Sequence, residues 1–168
     1  MRPHPDKRAI AVNCAVITVS DTRTTETDKS GRLIQQLLTD AGHQIVTYSI
    51  VRDEPEDIGN WLIELDNNPD LETIIFNGGT GIAPRDTTYD VVSNWLTKTI
   101  PGFGEIFRYL SYQEIGSRAI ASRAVAGVTN QKLIFSLPGS SNAVKLAVTR
   151  LILPELNHLL RQIRGTQS

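Results

Sequence analysis

Three short apolar runs rich in β-branched residues, each followed by an amphipathic stretch, constrain the fold of this chain more than any other feature. The first, CAVITVS from Cys14 to Ser20, is nearly continuous in apolar character and stops at Asp21, as expected for a strand buried on both faces of a parallel sheet. QIVTYSIV from Gln44 and LETIIFN from Leu71 read as two more strands. Between them, Leu33, Ile34, Leu37, Leu38 and Ala41 recur on one helical face with Gly42 placed to end the helix. Pro55 opens a second helix with acidic residues in its first turn. Parallel strands need crossover connections, and these are right-handed, so the pattern predicts an α/β chain: a three-layer α/β/α sandwich with a mostly parallel sheet.

Further along, TTYDVVSNWLTKT reads as a short helix. A longer one starts at Pro101, with Phe103, Ile106, Phe107 and Leu110 on one side. SRAVAGVTNQKLIFSL is hairpin-like, with turn chemistry at Thr129, Asn130 and Gln131. The last stretch is helical, with a break or new start expected at Pro154. Residues 1–8 read as a loose arm and 9–165 as a single domain, since 168 residues at 40% hydrophobic content suffice for one core.

Seventeen basic and 18 acidic residues, spread along the chain for a net charge of −1, leave no electrostatic footprint for nucleic acid or an anionic membrane. Cys14 is the single cysteine, which excludes an internal disulfide and a thiolate metal cage and fits a reducing, cytoplasmic setting. No run reaches the roughly 18 apolar residues of a membrane span. His4, His43 and His158 stand apart from any plausible nucleophile or metal partner.

In such a sheet ligands sit at the carboxyl ends of the strands. Four polar loops fall there, at residues 21–31, 52–56, 78–86 and 136–141. The turn Gly78-Gly79-Thr80-Gly81 would let backbone N–H groups approach an anion, with phosphate the obvious one. It is neither a Walker A loop nor a dinucleotide fingerprint, because the lysine and the glycine spacing are absent. Asp86 could cap the helix that follows it, and Asp53 could be a solvated residue before a helix. Together, two carboxylates beside a phosphate-binding turn make a reasonable magnesium site. Ser140 or Ser141 caps the last helix, and Glu105 with Arg108 has the spacing of a surface ion pair.

Five ordered blocks, TVSDTRTTETDKSG, GGTGIAPRDTTYD, PGFGEIFR, SRAVAG and SLPGSSNAV, resemble the molybdenum-cofactor biosynthesis family of MoaB and MogA, which is similar to the N-terminal domain of gephyrin. The first block looks more like MoaB. The resemblance implies a molybdopterin-binding fold, a homotrimer or homohexamer, and contact with other proteins of molybdenum-cofactor biosynthesis. It also implies a nucleotidyltransferase reaction: adenylylation of molybdopterin by ATP with Mg2+, releasing pyrophosphate before molybdate insertion. By the same resemblance Asp53 and Asp86 are the catalytic and metal-binding residues. Ser20, Asp21, Gly78, Gly79, Thr80, Gly81, Arg85, Glu105, Pro138, Gly139 and Ser140 contact substrate. Arg85 either touches phosphate or braces its loop by an ion pair. The alternative within the family is a carrier that binds molybdopterin without transforming it.

Overall fold

Side chains alternate across a strand, so a strand that is apolar at consecutive positions must be covered twice. The computed structural model describes residues 10–165, and the arm expected over residues 1–8, with His4, lies outside them. Its elements run β1 (Asn13–Val19), α1 (Lys29–Asp40), β2 (Gln44–Val51), α2 (Pro55–Asp66), β3 (Thr73–Asn77), α3 (Thr88–Trp95), β4 (Lys98–Thr99), α4 (Pro101–Ile115), β5 (Val125–Thr129), β6 (Lys132–Leu137), α5 (Ser141–Ala147) and α6 (Leu153–Ile163). On one face of the sheet Cys14, Val16, Ile75, Leu133 and Phe135 pack against Ile34 and Leu38 of α1, Phe103 and Phe107 of α4, and Val144, Leu156 and Leu160 of α5 and α6. On the other, Ala15, Ile17, Ile74 and Phe76 meet Ile58, Leu62 and Leu65 of α2 and Val92 of α3. These are the three layers that the alternation of elements predicts.

The strands stand in the order β2-β1-β3-β6-β5-β4. β1, β2, β3 and β6 are parallel, β5 runs antiparallel to β6, and β4 antiparallel to β5. The order reverses direction about β1, because β2 lies on one side of it and β3 on the other. The polar residues after these strands are thereby gathered along one edge. The β5–β6 turn is made by Asn130 and Gln131 with φ of 43° and 62°, the positive values that a two-residue hairpin requires.

Two local expectations change and a third gains detail. β4 is a two-residue strand that no apolar run announced. Ile106, expected on the packed side of α4, is 51% exposed, while Phe103 and Phe107 are buried: the helical period carries the core face through 103, 107 and 110 and leaves 106 at its margin. The new start expected at Pro154 is present, with α6 beginning at Leu153 and the proline in its first turn. A wide π turn over Val148–Ile152, closed by the Leu153 N–H donating to the Val148 carbonyl, feeds directly into α6. The wider turn takes up the strain of a proline that has no N–H to give.

Candidate functional site

The four loops converge. Ser20 leaves β1 with its N–H donating to the Val51 carbonyl at 2.8 Å, and its hydroxyl accepts the backbone N–H groups of Thr22 and Arg23 at 3.3 and 3.1 Å. Asp21 Oδ1 accepts the Asp53 N–H at 3.1 Å, joining the first loop to the second. Gly78 donates its N–H to the Leu137 carbonyl at 2.9 Å, joining the third to the fourth. Arg23 reaches across to the Gly139 carbonyl at 3.0 Å.

The two glycines at the start of the third loop are required by the protein's own packing. Gly78 has φ of 110°, and a Cβ there would lie 2.2 Å from the Val19 carbonyl oxygen. Gly79 has φ of 61°, and a Cβ would lie 2.2 Å from Thr88 Oγ1 and 2.3 Å from Asp53 Oδ2. No L side chain fits either position without displacement. Within the described residues the N–H groups of Gly79, Thr80 and Gly81 have no hydrogen-bond partner.

The two carboxylates exchange the roles that local sequence suggests. Asp86 does not cap α3: its Oδ2 instead accepts the Ala83 N–H at 3.1 Å, closing its own loop. Asp53, for which the sequence leaves a solvated position before a helix as the plainer alternative to a metal ligand, is only 6% exposed. Its Oδ1 accepts the Thr87 N–H at 3.0 Å and the Thr87 hydroxyl at 2.7 Å. It is therefore Asp53, from the loop after β2, that satisfies the start of α3. Each carboxylate spends one oxygen on the protein, and Asp53 Oδ2 and Asp86 Oδ1 have no hydrogen-bond partner within the described residues.

Arg85 braces. Its guanidinium donates to Asp21 Oδ2 at 2.9 Å and to Glu54 Oε1 at 2.5 Å, tying three loops together at the rim. The hydrogen bond from Arg85 holds the Asp21 carboxyl below its ordinary pKa. Ser140 caps α5, its hydroxyl accepting the Ala143 N–H at 3.2 Å, after Pro138 and Gly139. Glu105 is exposed in α4, beside Gly104, where a Cβ would lie 2.7 Å from the Ala124 carbonyl. Nothing joins Glu105 to the other loops, and it forms no ion pair with Arg108 among the described residues.

Two further parts of the site were not singled out from the sequence. Asp28 is fully buried at the start of α1 and accepts the Gly31 N–H at 2.9 Å and the Tyr48 hydroxyl at 2.7 Å. Burial alone would raise its pKa, but hydrogen bonds from Thr18, Gly31, Tyr48 and Ser30 outweigh that and hold it low. The Ser30 hydroxyl donates to Asn77 Oδ1 at 2.9 Å, and Asn77 Nδ2 donates to Thr18 Oγ1 at 2.9 Å, so the floor under the glycine loop is a closed polar network. The spacing Asp28-Lys29-Ser30-Gly31, a capping residue three before a glycine N–H, is the sequence signal for it. Arg123 is the second, and only its place in the SRAVAG block marked it.

Among the described residues no group of three or more His, Cys, Asp or Glu side chains stands ready to hold a metal. An ion at Asp53 and Asp86 would need oxygens from a ligand or water to complete its shell. Two hard carboxylate oxygens left open by the protein fit magnesium in that manner, since it keeps waters and phosphate oxygens around it.

A mixed α/β sheet with a glycine turn, two half-engaged carboxylates and unpaired N–H groups at its carboxyl edge is the architecture of a small-ligand-binding α/β protein, with donors of the kind an anion would use. Residues 15–158 match the family model described as "Probable molybdopterin binding domain". The chain is 55% identical over 161 residues to molybdenum cofactor biosynthesis protein B of Halalkalibacterium halodurans, covering 95% of each chain. It is 50% identical over 165 residues to the protein of the same name in Bacillus subtilis, covering 98% of this chain and 97% of that one. A crystal structure of a molybdenum cofactor biosynthesis protein B superposes with a TM-score of 0.91 at 48% identity, over 95% of this chain and 99% of the other. The tungsten cofactor synthesizing protein MoaB from Pyrococcus furiosus superposes at 0.83 and 34% identity, over 94% and 99%. The chain belongs to the MoaB/MogA family of molybdenum-cofactor biosynthesis proteins. No helix among its described residues is long and apolar enough to cross a membrane.

Proposed function

We propose that this protein transfers the adenylyl group of ATP to the terminal phosphate of molybdopterin, before molybdate insertion, drawing its nucleotide from the cytoplasm. One observation carries the reading: Asp53 and Asp86 each keep one carboxylate oxygen open beside a loop whose N–H groups at Gly79, Thr80 and Gly81 are unpaired. An oxygen of the pterin phosphate forms a bond to the α-phosphorus of ATP, the bond from that phosphorus to the bridging oxygen breaks, and pyrophosphate leaves with the electron pair. The attacking phosphate is already ionised near neutral pH, so no protein nucleophile or base is required. The task is to hold two polyanions in line and offset their charge.

The loop N–H groups bind phosphate oxygens, and the network of Asp28, Ser30 and Asn77 keeps the loop floor rigid. Asp53 and Asp86 would hold magnesium, which when bound offsets the charge of the transferring phosphoryl group. Ser20, Asp21 and the turn Pro138-Gly139-Ser140 line the same edge as substrate contacts, and Arg85 keeps the rim closed. Assembly into a trimer or hexamer is part of the same reading. Exposed Tyr109, Tyr112 and Ile115 on α4, with Ile120 at 88% exposure just beyond it, are the apolar surface that a second copy would cover.

The test supplies purified protein with molybdopterin, ATP and Mg2+ and follows adenylylated pterin and pyrophosphate. Product that forms with wild type and falls roughly a hundredfold in Asp86→Asn supports the assignment. Pterin binding without product in wild type replaces it with the carrier reading.

A further inference from the structure

Arg123 lies between a 3-10 turn over Gly116–Ala121 and β5, yet its side-chain donors are turned onto the glycine loop and the start of α3. Nε donates to the Gly81 carbonyl at 3.0 Å and the Thr80 carbonyl at 3.3 Å. One terminal nitrogen donates to the Gly81 and Asp86 carbonyls at 2.6 and 3.1 Å, and the other to both Asp90 carboxylate oxygens at 3.0 and 3.1 Å. The guanidinium carbon also stands 4.7 Å from the centre of the Tyr89 ring, within the range of a cation–π contact.

The carbonyls it gathers come from both limbs of the loop. Because a trans peptide is planar, a carbonyl turned toward Arg123 turns the N–H of the next residue away from it. Gripping Thr80, Gly81 and Asp86 therefore sets the directions of the N–H groups of Gly81, Ile82 and Thr87. The third of these can be checked: the Thr87 N–H points to Asp53 Oδ1 at 3.0 Å. The first two have no partner within the described residues.

We propose that Arg123 is a positioning residue, whose planar fork directs the Gly81 and Ile82 N–H groups toward an anionic phosphoryl group and fixes the backbone from which the Asp86 carboxylate projects beside it. The inference rests on the adenylyl-transfer reading for its kinetics but not for its geometry. Lysine cannot replace the fork, since an ammonium offers a point charge without the fixed spread of donors that spans three carbonyls. Asp90 pairs with the guanidinium and the Tyr89 ring packs against it, so its charge is already partnered within the protein.

Two measurements on Arg123→Lys decide the matter, with Asp90→Asn as a milder second variant that loosens the same fork should the first not fold. In the adenylylation assay, kcat of Arg123→Lys falls about a hundredfold, the size of effect that small misplacement of catalytic groups produces. In the Asp86→Asn background the same change costs several-fold less than it does alone, because part of its effect passes through Asp86 and the rest through the loop N–H groups. A multiplicative loss in the double variant, or an undiminished kcat in the single one, overturns the proposal. Hydrogen–deuterium exchange of the hydrogen-bonded amides of Ala83, Asp86 and Thr87 needs no turnover. Faster exchange there, with core strands unchanged, supports the grip, and unchanged exchange overturns it whatever the kinetics show. If wild type forms no adenylylated pterin, the proposed function fails while exchange still decides the role of Arg123.

Discussion

Asp53 caps a helix to which it does not belong: its Oδ1 takes both the N–H and the hydroxyl of Thr87, 34 residues further along the chain. The same carboxylate is thus a structural anchor through one oxygen and a prospective ligand through the other.

Separating the two oxygens is feasible by substitution. Asp53→Ala should lose about 1–2 kcal/mol of stability, the usual cost of removing a helix cap. Asp53→Asn, oriented with its carbonyl oxygen on Thr87, should keep most of that stability while turnover falls. Urea unfolding alongside the adenylylation assay checks both, and equal destabilisation by the two variants would contradict the division of labour.

Gly78→Ala should cost about 2 kcal/mol or more, because its φ of 110° strains any L residue and the new methyl would meet the Val19 carbonyl oxygen. Gly59→Ala, inside α2 with no atom near the added methyl, should instead be neutral or stabilise by up to about 1 kcal/mol. Denaturant midpoints of the pair give opposite signs if the loop geometry is right.

Stability should also fall in mild acid through His43. Its ring is 6% exposed and Nδ1 accepts the Val12 N–H at 3.2 Å. Burial pushes its pKa below the ordinary histidine value, against a smaller opposing pull from Glu72. The unfolded chain then binds a proton near pH ~6.5 that the folded chain refuses. Its contribution is full above that pH, declines as pH drops through it, and levels off below the folded pKa. Urea unfolding between pH 5 and 8 should show this slope, and His43→Gln should flatten it.

The apolar surface of α4 is tested by charge. Tyr109→Glu together with Ile115→Lys should shift sedimentation toward the monomer with little change in the folded spectrum, since both side chains are more than half exposed and add nothing to the core. An unchanged oligomer would move the subunit contact elsewhere.

Much of this architecture was legible because the signals are local. β-branched runs, the helical period of α1 and the turn at Asn130 and Gln131 each depend on neighbours within a few residues. The glycine loop and Asp86 were legible for the same reason, whereas Asp53 was placed beside them by the rule that loops after parallel strands share one edge. Their roles were not: sequence proximity favours Asp86 as the cap of α3, but Thr87, with φ of −106° and ψ of −14°, sits in a helical conformation at the cap position and leaves the vacancy to a carboxylate from the loop after β2. Arg123 was harder still, for its partners lie 33 to 43 residues upstream and an isolated arginine beside alanines carries no sign of them. The exposed Ile106 depends on packing, and the π turn over Val148–Ile152 that leads into the expected start at Pro154 has no fixed residue signature.

The antiparallel setting of β5 has a further effect on how this edge can change. Outgoing loops from β1, β2, β3 and β6 all leave the ligand edge, whereas β5 enters the sheet from it. The arriving segment, with Arg123 at its tip, is therefore covalently independent of the turns that it grips. Lengthening or reshaping an outgoing turn leaves its anchor point untouched, and the anchor can be altered without rebuilding a turn. One reversed strand converts a row of exits into a lock with a separately supplied key.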